Sequence, residues 1–223
     1  MLVELFTSEG CSDCPAADRL LERLDATQFV PGAEAIVLSE HVTYWNYLGW
    51  RDPFSLEDAD ARQQRYGKLF GLNSIYTPQA VVDGAAQMVG SDEQALRRAV
   101  AAAASRPKGE LRIESAHWEM DEVRFAVKGA LDPGARLVAV LAEDATHSEV
   151  ARGENAGRTL HHVAVVRVLK EFGAAWADGR TLELPDGSME HRGEAAGPVR
   201  LVVFAADGRS GSVLAAAEQT LRR

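Results

Sequence analysis

The residues best suited to chemistry in this 223-residue chain are Cys11-Ser12-Asp13-Cys14-Pro15, which hold its only two cysteines. Three residues apart in the first turn of a helix, two thiols meet the short Cα separation that a disulfide needs, so the pair can open and close. A helix N-terminus also presents unpaired N–H groups and a partial positive charge. Both stabilise a thiolate and mark Cys11 as the attacking sulfur. Glu9 and Asp13 oppose that thiolate while Arg19 favours it, so local charge does not fix the sign of its pKa shift. The same spacing also suits a fixed disulfide or half of a zinc site.

Three further segments carry candidate groups. Thr77-Pro78 precedes a short apolar run at 79–83, and a cis-proline there would turn the preceding backbone toward a substrate polypeptide; the plainer reading is a proline at a strand start. Residues 41–54 are unusually aromatic. In an open α/β sheet such a loop lies in the crevice at the strands' carboxyl ends, where His41, or Glu40 before it, could move protons during thiol exchange. Tyr44, Trp45, Tyr47 and Trp50 are expected mainly to pack. The glycine-punctuated stretch from Arg152 to His162 is either a solvated hairpin or a loop docked on the thiol site through Glu154 or Arg158. His161 and His162 face opposite sides of a strand, so at most one joins any site.

The elements that must position these groups fall into two textures. Residues 1–106 alternate strand and helix. Leu2, Val3, Leu5 and Phe6 form a first strand, and Ser12 or Asp13 caps a helix with Pro15 in its first turn and Ala17, Leu20, Leu21 and Leu24 on one face. An apolar run at 35–39 reads as a buried parallel strand. A helix follows from Ser55 to about Leu69, then a hairpin centred on Gly84, then a helix opened by Ser91-Asp92-Glu93-Gln94 and stopped by Pro107. Residues 107–223 read as seven strands, at 110–117, 122–129, 136–143, 160–169, 181–184, 199–206 and 212–220, with turn signals at 132–134, 185–187 and 207–208. That pattern suggests a β-sandwich.

Composition sets outer limits. With 46% hydrophobic and 26% charged residues the chain is ordinary for a globular protein, and its net charge of −9 argues against nucleic acid or an anionic membrane as partner. No apolar run approaches the length of a membrane span, and Met-Leu-Val-Glu-Leu-Phe has neither the basic nor the apolar region of an export signal. Two cysteines do not identify a compartment. The expectation is a periplasmic or secreted protein if a signal has been removed, and a cytoplasmic one otherwise.

Four blocks together resemble an uncharacterised thioredoxin-like family of bacteria and plants, many of whose members are secreted. They are Phe6 to Pro15, His41 to Asp52, Tyr76-Thr77-Pro78-Gln79 with Val82-Asp83-Gly84, and Arg152 to Leu160. The resemblance implies an α/β thioredoxin-like domain at 1–106, joined here to an all-β, sandwich-like domain at 107–223. It implies Cys11 as attacking thiol, Cys14 as resolving thiol and Pro78 as a cis-proline, and it leaves the activity of the family unassigned. The chain departs from ordinary thioredoxins in lacking a leading strand and helix, in having Gly10 where tryptophan is usual, and in having Ser-Asp between the cysteines.

The function expected from all this is thiol–disulfide exchange on protein substrates. Cys11 attacks, Cys14 resolves, Thr77-Pro78 holds the substrate backbone, and no cofactor is required because the electrons reside on the sulfurs. Two alternatives stand beside it. One is a copper or zinc protein using Cys11, Cys14 and His41; the other is a binding module whose disulfide is only a staple.

Overall fold

The computed structural model describes residues 1–130, 134–173, 181–186 and 198–222. Of the turn signals expected at 132–134 and 185–187, Asp132, Pro133 and Gly187 lie outside those residues.

Strands β1 (Leu2–Thr7) and β2 (Ile36–His41) are buried along their whole length and pair in parallel, joined by helix α1 (Cys14–Thr27). Their near-continuous apolar sequence follows from lying mid-sheet with both faces covered. On one face of β1, Leu5 meets α1 through Ala17, Leu20, Leu21 and Leu24, together with Leu96 and Val100 of helix α3 (Glu93–Ala104). On the other, Phe6 packs with Val42, Val81 and Tyr66 of helix α2 (Glu57–Leu69). Asp92 caps α3 by accepting from Ala95 N at 2.9 Å. Asp13 occupies the capping position of α1 without a side-chain bond, so the cap expected there is not formed. The hairpin β3 (Gln79–Val82) and β4 (Ala86–Val89) turns at Gly84, whose φ of +58° and approach to Gly211 leave no room for a Cβ.

All seven strands expected after residue 107 are present: β5 (Glu110–Glu119), β6 (Glu122–Ala130), β7 (Ala135–Glu149), β8 (Thr159–Phe172), β9 (Thr181–Pro185), β10 (Val199–Asp207) and β11 (Val213–Leu221). Their grouping differs from a separate sandwich. Four of them join the first strands in one mixed eight-stranded sheet, β11-β10-β7-β8-β2-β1-β3-β4, while β5, β6 and β9 form a second, antiparallel sheet. The junction is the parallel pairing of Ser39 in β2 with Val165 in β8. The small sheet packs over the far end of the large one through Phe125, Leu184, Leu137, Leu141, Leu201 and Val203. The architecture is therefore mixed α/β, with a large sheet that draws strands from both sides of residue 107. Because β7 and β8 are long, the loop between them reaches back over the carboxyl ends of β1 and β2.

Candidate functional site

The chain leaves β1 through a tight turn, with Cys11 N donating to Ser8 O at 3.1 Å, and enters α1 at Cys14. Cys11 and Cys14 are joined as a disulfide with their Cα atoms 5.4 Å apart. Gly10 has a local reason. A Cβ there would sit 3.0 Å from Trp45 Cβ, so Trp45 fills the space that a larger residue before Cys11 would need.

The bridge is covered, although exchange with a substrate needs an accessible sulfur: Cys11 is 2% and Cys14 0% exposed. The cover comes from the far side of the sequence. In the loop between β7 and β8, Asn155 is fully buried and its Nδ2 donates to the carbonyls of Glu9 (2.8 Å) and Cys11 (2.9 Å). Next to it, the exposed Glu154 accepts from Ser12 N at 3.1 Å, while Arg158 donates to Asn155 Oδ1. Of the two expectations for this stretch, the docked loop is the one the structure shows.

Beside the bridge lies a cleft of about 440 Å³, walled by Ser12, Asp13, Pro15 and Arg19 on one side and by Tyr76, Thr77 and Pro78 on the other. The Thr77-Pro78 peptide is cis. Thr77 is held from behind by Trp45, whose Nε1 donates to its Oγ1 at 2.7 Å. Gly90 permits the close fit of this wall, since a Cβ would lie 3.1 Å from Pro78 Cβ and 2.6 Å from Leu5 Cδ1.

His41 does not line that cleft. It is wholly buried, with Nδ1 2.7 Å from Asp52 Oδ2 and its ring centroid 4.6 Å from that of His162. Around these two rings a polar cluster is sealed in the protein. His162 Nε2 lies 3.2 Å from Glu9 Oε1 and its Nδ1 3.7 Å from Asp18 Oδ2. Thr7 Oγ1 donates to Asp18 at 2.8 Å, Trp50 Nε1 donates to Glu9 at 2.8 Å, and Ser148 also donates to Glu9. Burial opposes a charge on His41, but the charge and hydrogen bond of Asp52, with Asp18 and Glu9 beyond, outweigh it and raise the imidazole pKa. Burial likewise opposes the Asp52 carboxylate. His41 and the amides of Glu9 and Phe54 win, so its pKa falls and the two form an ion pair. Asp18 moves the other way: burial raises it, and His162, His41 and Thr7 only partly offset that.

On the opposite face of the sheet, Glu4 and Glu40 share Arg62, whose Nε lies 3.5 Å from Glu40 and still closer to Glu4. Burial and the like charge of Glu4 push Glu40 well above the usual carboxylate range. Arg62 also stacks against Tyr66 and Phe204, which makes this cluster a packed internal strut.

The structure thus brings Cys11, Cys14, Thr77 and Pro78 to one place and sets His41 in an adjoining buried cluster. Sequence reading missed Glu9, Asp18, Asp52 and Asn155 as members. Glu9 is read there only as a charge opposing the thiolate, Asp52 and Asn155 lie inside segments that carry the family resemblance, and Asp18 leaves its trace as an acid on the apolar stripe of α1. Among the described residues, no group of three or more His, Cys, Asp or Glu is arranged to hold a metal ion. No helix among them is long and apolar enough to cross a membrane.

Fold and site together define a mixed α/β protein with a Cys-x-x-Cys disulfide buried beneath a loop of its β-rich half. The chain belongs to the family described as protein of unknown function DUF1223, whose model matches residues 2–204. It is similar to the crystal structure of protein AGR_C_4864 from Agrobacterium tumefaciens, at 26% identity and a TM-score of 0.70, covering 97% of this chain and 92% of that one. The chain has no match among curated proteins.

Proposed function

We propose that the chain is a thiol–disulfide oxidoreductase acting on protein disulfides, with a thioredoxin-like arrangement in residues 1–106. The observation that carries this reading is the cleft in which the turn bearing Cys11 and Cys14 faces Thr77 and Pro78. An extended peptide lying there has backbone groups of residues 76–78 on one side and the first turn of α1 on the other. In the reducing direction the Cys11 thiolate attacks a substrate disulfide and displaces one substrate sulfur. Cys14 then attacks Cys11, re-forming the internal bridge and releasing the second sulfur. The site needs no metal for this exchange. For access, the loop carrying Asn155 must lift.

A second reading is favoured by the burial of both cysteines: a fixed staple in a binding protein. One set of measurements separates the two. The exchange reading expects turnover of insulin disulfides, a mixed disulfide with a protein partner captured on Cys14→Ser, and a reduction potential within reach of cellular dithiols. A bridge that resists strong thiol reductant, with no turnover and no captured partner, leaves the staple.

A further inference from the structure

Opening and closing the bridge moves two electrons and two protons, and Cys14 has no exposed surface through which water could exchange its proton. Asp18 lies one helical turn further along α1 and is buried on the same face, a spacing that puts side chains about 5–6 Å apart at Cβ. From this geometry we infer that Asp18 is the internal proton acceptor and donor for Cys14, with His162 and Thr7 as its positioning residues. This rests on the exchange reading above.

Three observations support it. Five ionisable side chains from separate parts of the chain converge here: Asp18 from α1, Glu9 from the turn after β1, His41 from β2, Asp52 from the following loop, and His162 from β8. Sealing that many titratable groups from water is costly, and an apolar core would be the cheaper way to fill the space. Second, the cluster has unused capacity. His162 Nδ1 and His41 Nε2 are buried and make no hydrogen bond. Third, burial raises the Asp18 pKa, which makes its carboxylate a better base near neutral pH than an exposed aspartate.

The step balances as follows. Cys14 gives its thiol proton to the Asp18 carboxylate while its sulfur electron pair bonds to Cys11 Sγ. The bond between Cys11 and the substrate sulfur breaks, and that sulfur leaves as a thiolate that takes a proton from solvent at the cleft. The oxidant is the substrate disulfide. Opening runs the same transfers in reverse, and the groups acting on Asp18 (Thr7, His41, Asp52 and His162, with Glu9 beyond His162) set how readily it holds the proton.

The test uses the reduced full-length protein and an aromatic disulfide reagent that releases one coloured thiolate when Cys11 attacks and a second when Cys14 closes the bridge. Asp18→Asn should leave the first release unchanged and slow the second about a hundredfold at neutral pH. The deficit should shrink as pH approaches the ordinary thiol pKa of about 8.5, where Cys14 ionises unaided. Thr7→Val removes a hydrogen bond that favours the Asp18 carboxylate. It should shift the pH profile of the second release upward while its plateau stays put. A second release in Asp18→Asn with wild-type rate and pH profile overturns the inference; should that variant fail to fold, an unshifted profile in Thr7→Val does so. Failure of the exchange reading has a different signature, namely no insulin turnover and no captured protein partner while both colour releases persist.

Discussion

Asn155→Ala should unseal the bridge. Its amide is the one buried polar side chain of the covering loop, and it makes two hydrogen bonds, to the carbonyls of Glu9 and Cys11. At about 1 kcal/mol net for each such bond, its removal costs the closed loop about 2 kcal/mol. Since about 1.4 kcal/mol is tenfold in an equilibrium constant, the open population should rise roughly thirtyfold. The neighbouring bond from Ser12 N to Glu154 is exposed, so Glu154→Ala should change that population only a few-fold. The assay is the rate at which a water-soluble phosphine in excess reduces the Cys11–Cys14 bridge, read by mass after quenching with an alkylating agent. The expected order is Asn155→Ala fastest, then Glu154→Ala, then wild type. Because Gly153 rests on Trp50, with a Cβ there coming within 3.1 Å of Trp50 Cβ, hydrogen exchange at residues 9–12 and 48–50 should quicken with the phosphine rate. Equal phosphine rates in wild type and Asn155→Ala, with the variant still folded, would refute the view that this loop controls access.

Two further outcomes follow from the buried charges. For the His41–Asp52 pair, Asp52 contributes stability that is present above its ordinary pKa of 3.8 and is lost as pH falls through its lowered value, while His41 contributes stability present below 6.5 and lost as pH rises through its raised value. Urea melts of wild type against Asp52→Asn should therefore show a stability maximum between those limits that flattens on both flanks in the variant; matching pH curves would contradict the pairing. Arg62→Met leaves Glu4 and Glu40 buried without their cation, so it should cost about 3–5 kcal/mol in urea melts. The loss should deepen as pH rises, because Glu40, already raised by burial and by Glu4, then loses the cation that offsets them and resists giving up its proton. A cost under about 1 kcal/mol would show that the strut carries little.

Much of the local structure was readable from residue order. Apolar periodicity and turn residues placed three helices and eleven strands close to where they lie, and the thiol spacing at the mouth of α1 made a bridge there one of the readings beside half of a metal site. Those signals are local: a cap, a stripe or a Gly-centred turn acts over a handful of neighbours, so it survives in the linear order. Sheet order does not. Nothing around Ser39 or Val165 says that they pair, because that choice depends on how the long β7–β8 hairpin docks as a whole. The same holds for the site's environment. Glu9, Asp18, Asp52 and His162 read singly as ordinary polar residues and His41 as a proton carrier at the thiols; all five are buried, and the protonation of Asp18, His41 and Asp52 is perturbed, only because distant segments exclude water around them. Asn155 makes the point most directly: 144 residues beyond Cys11 in the chain, it touches the thiol turn and closes it off, because desolvation is a property of everything that surrounds a group and not of its neighbours in sequence.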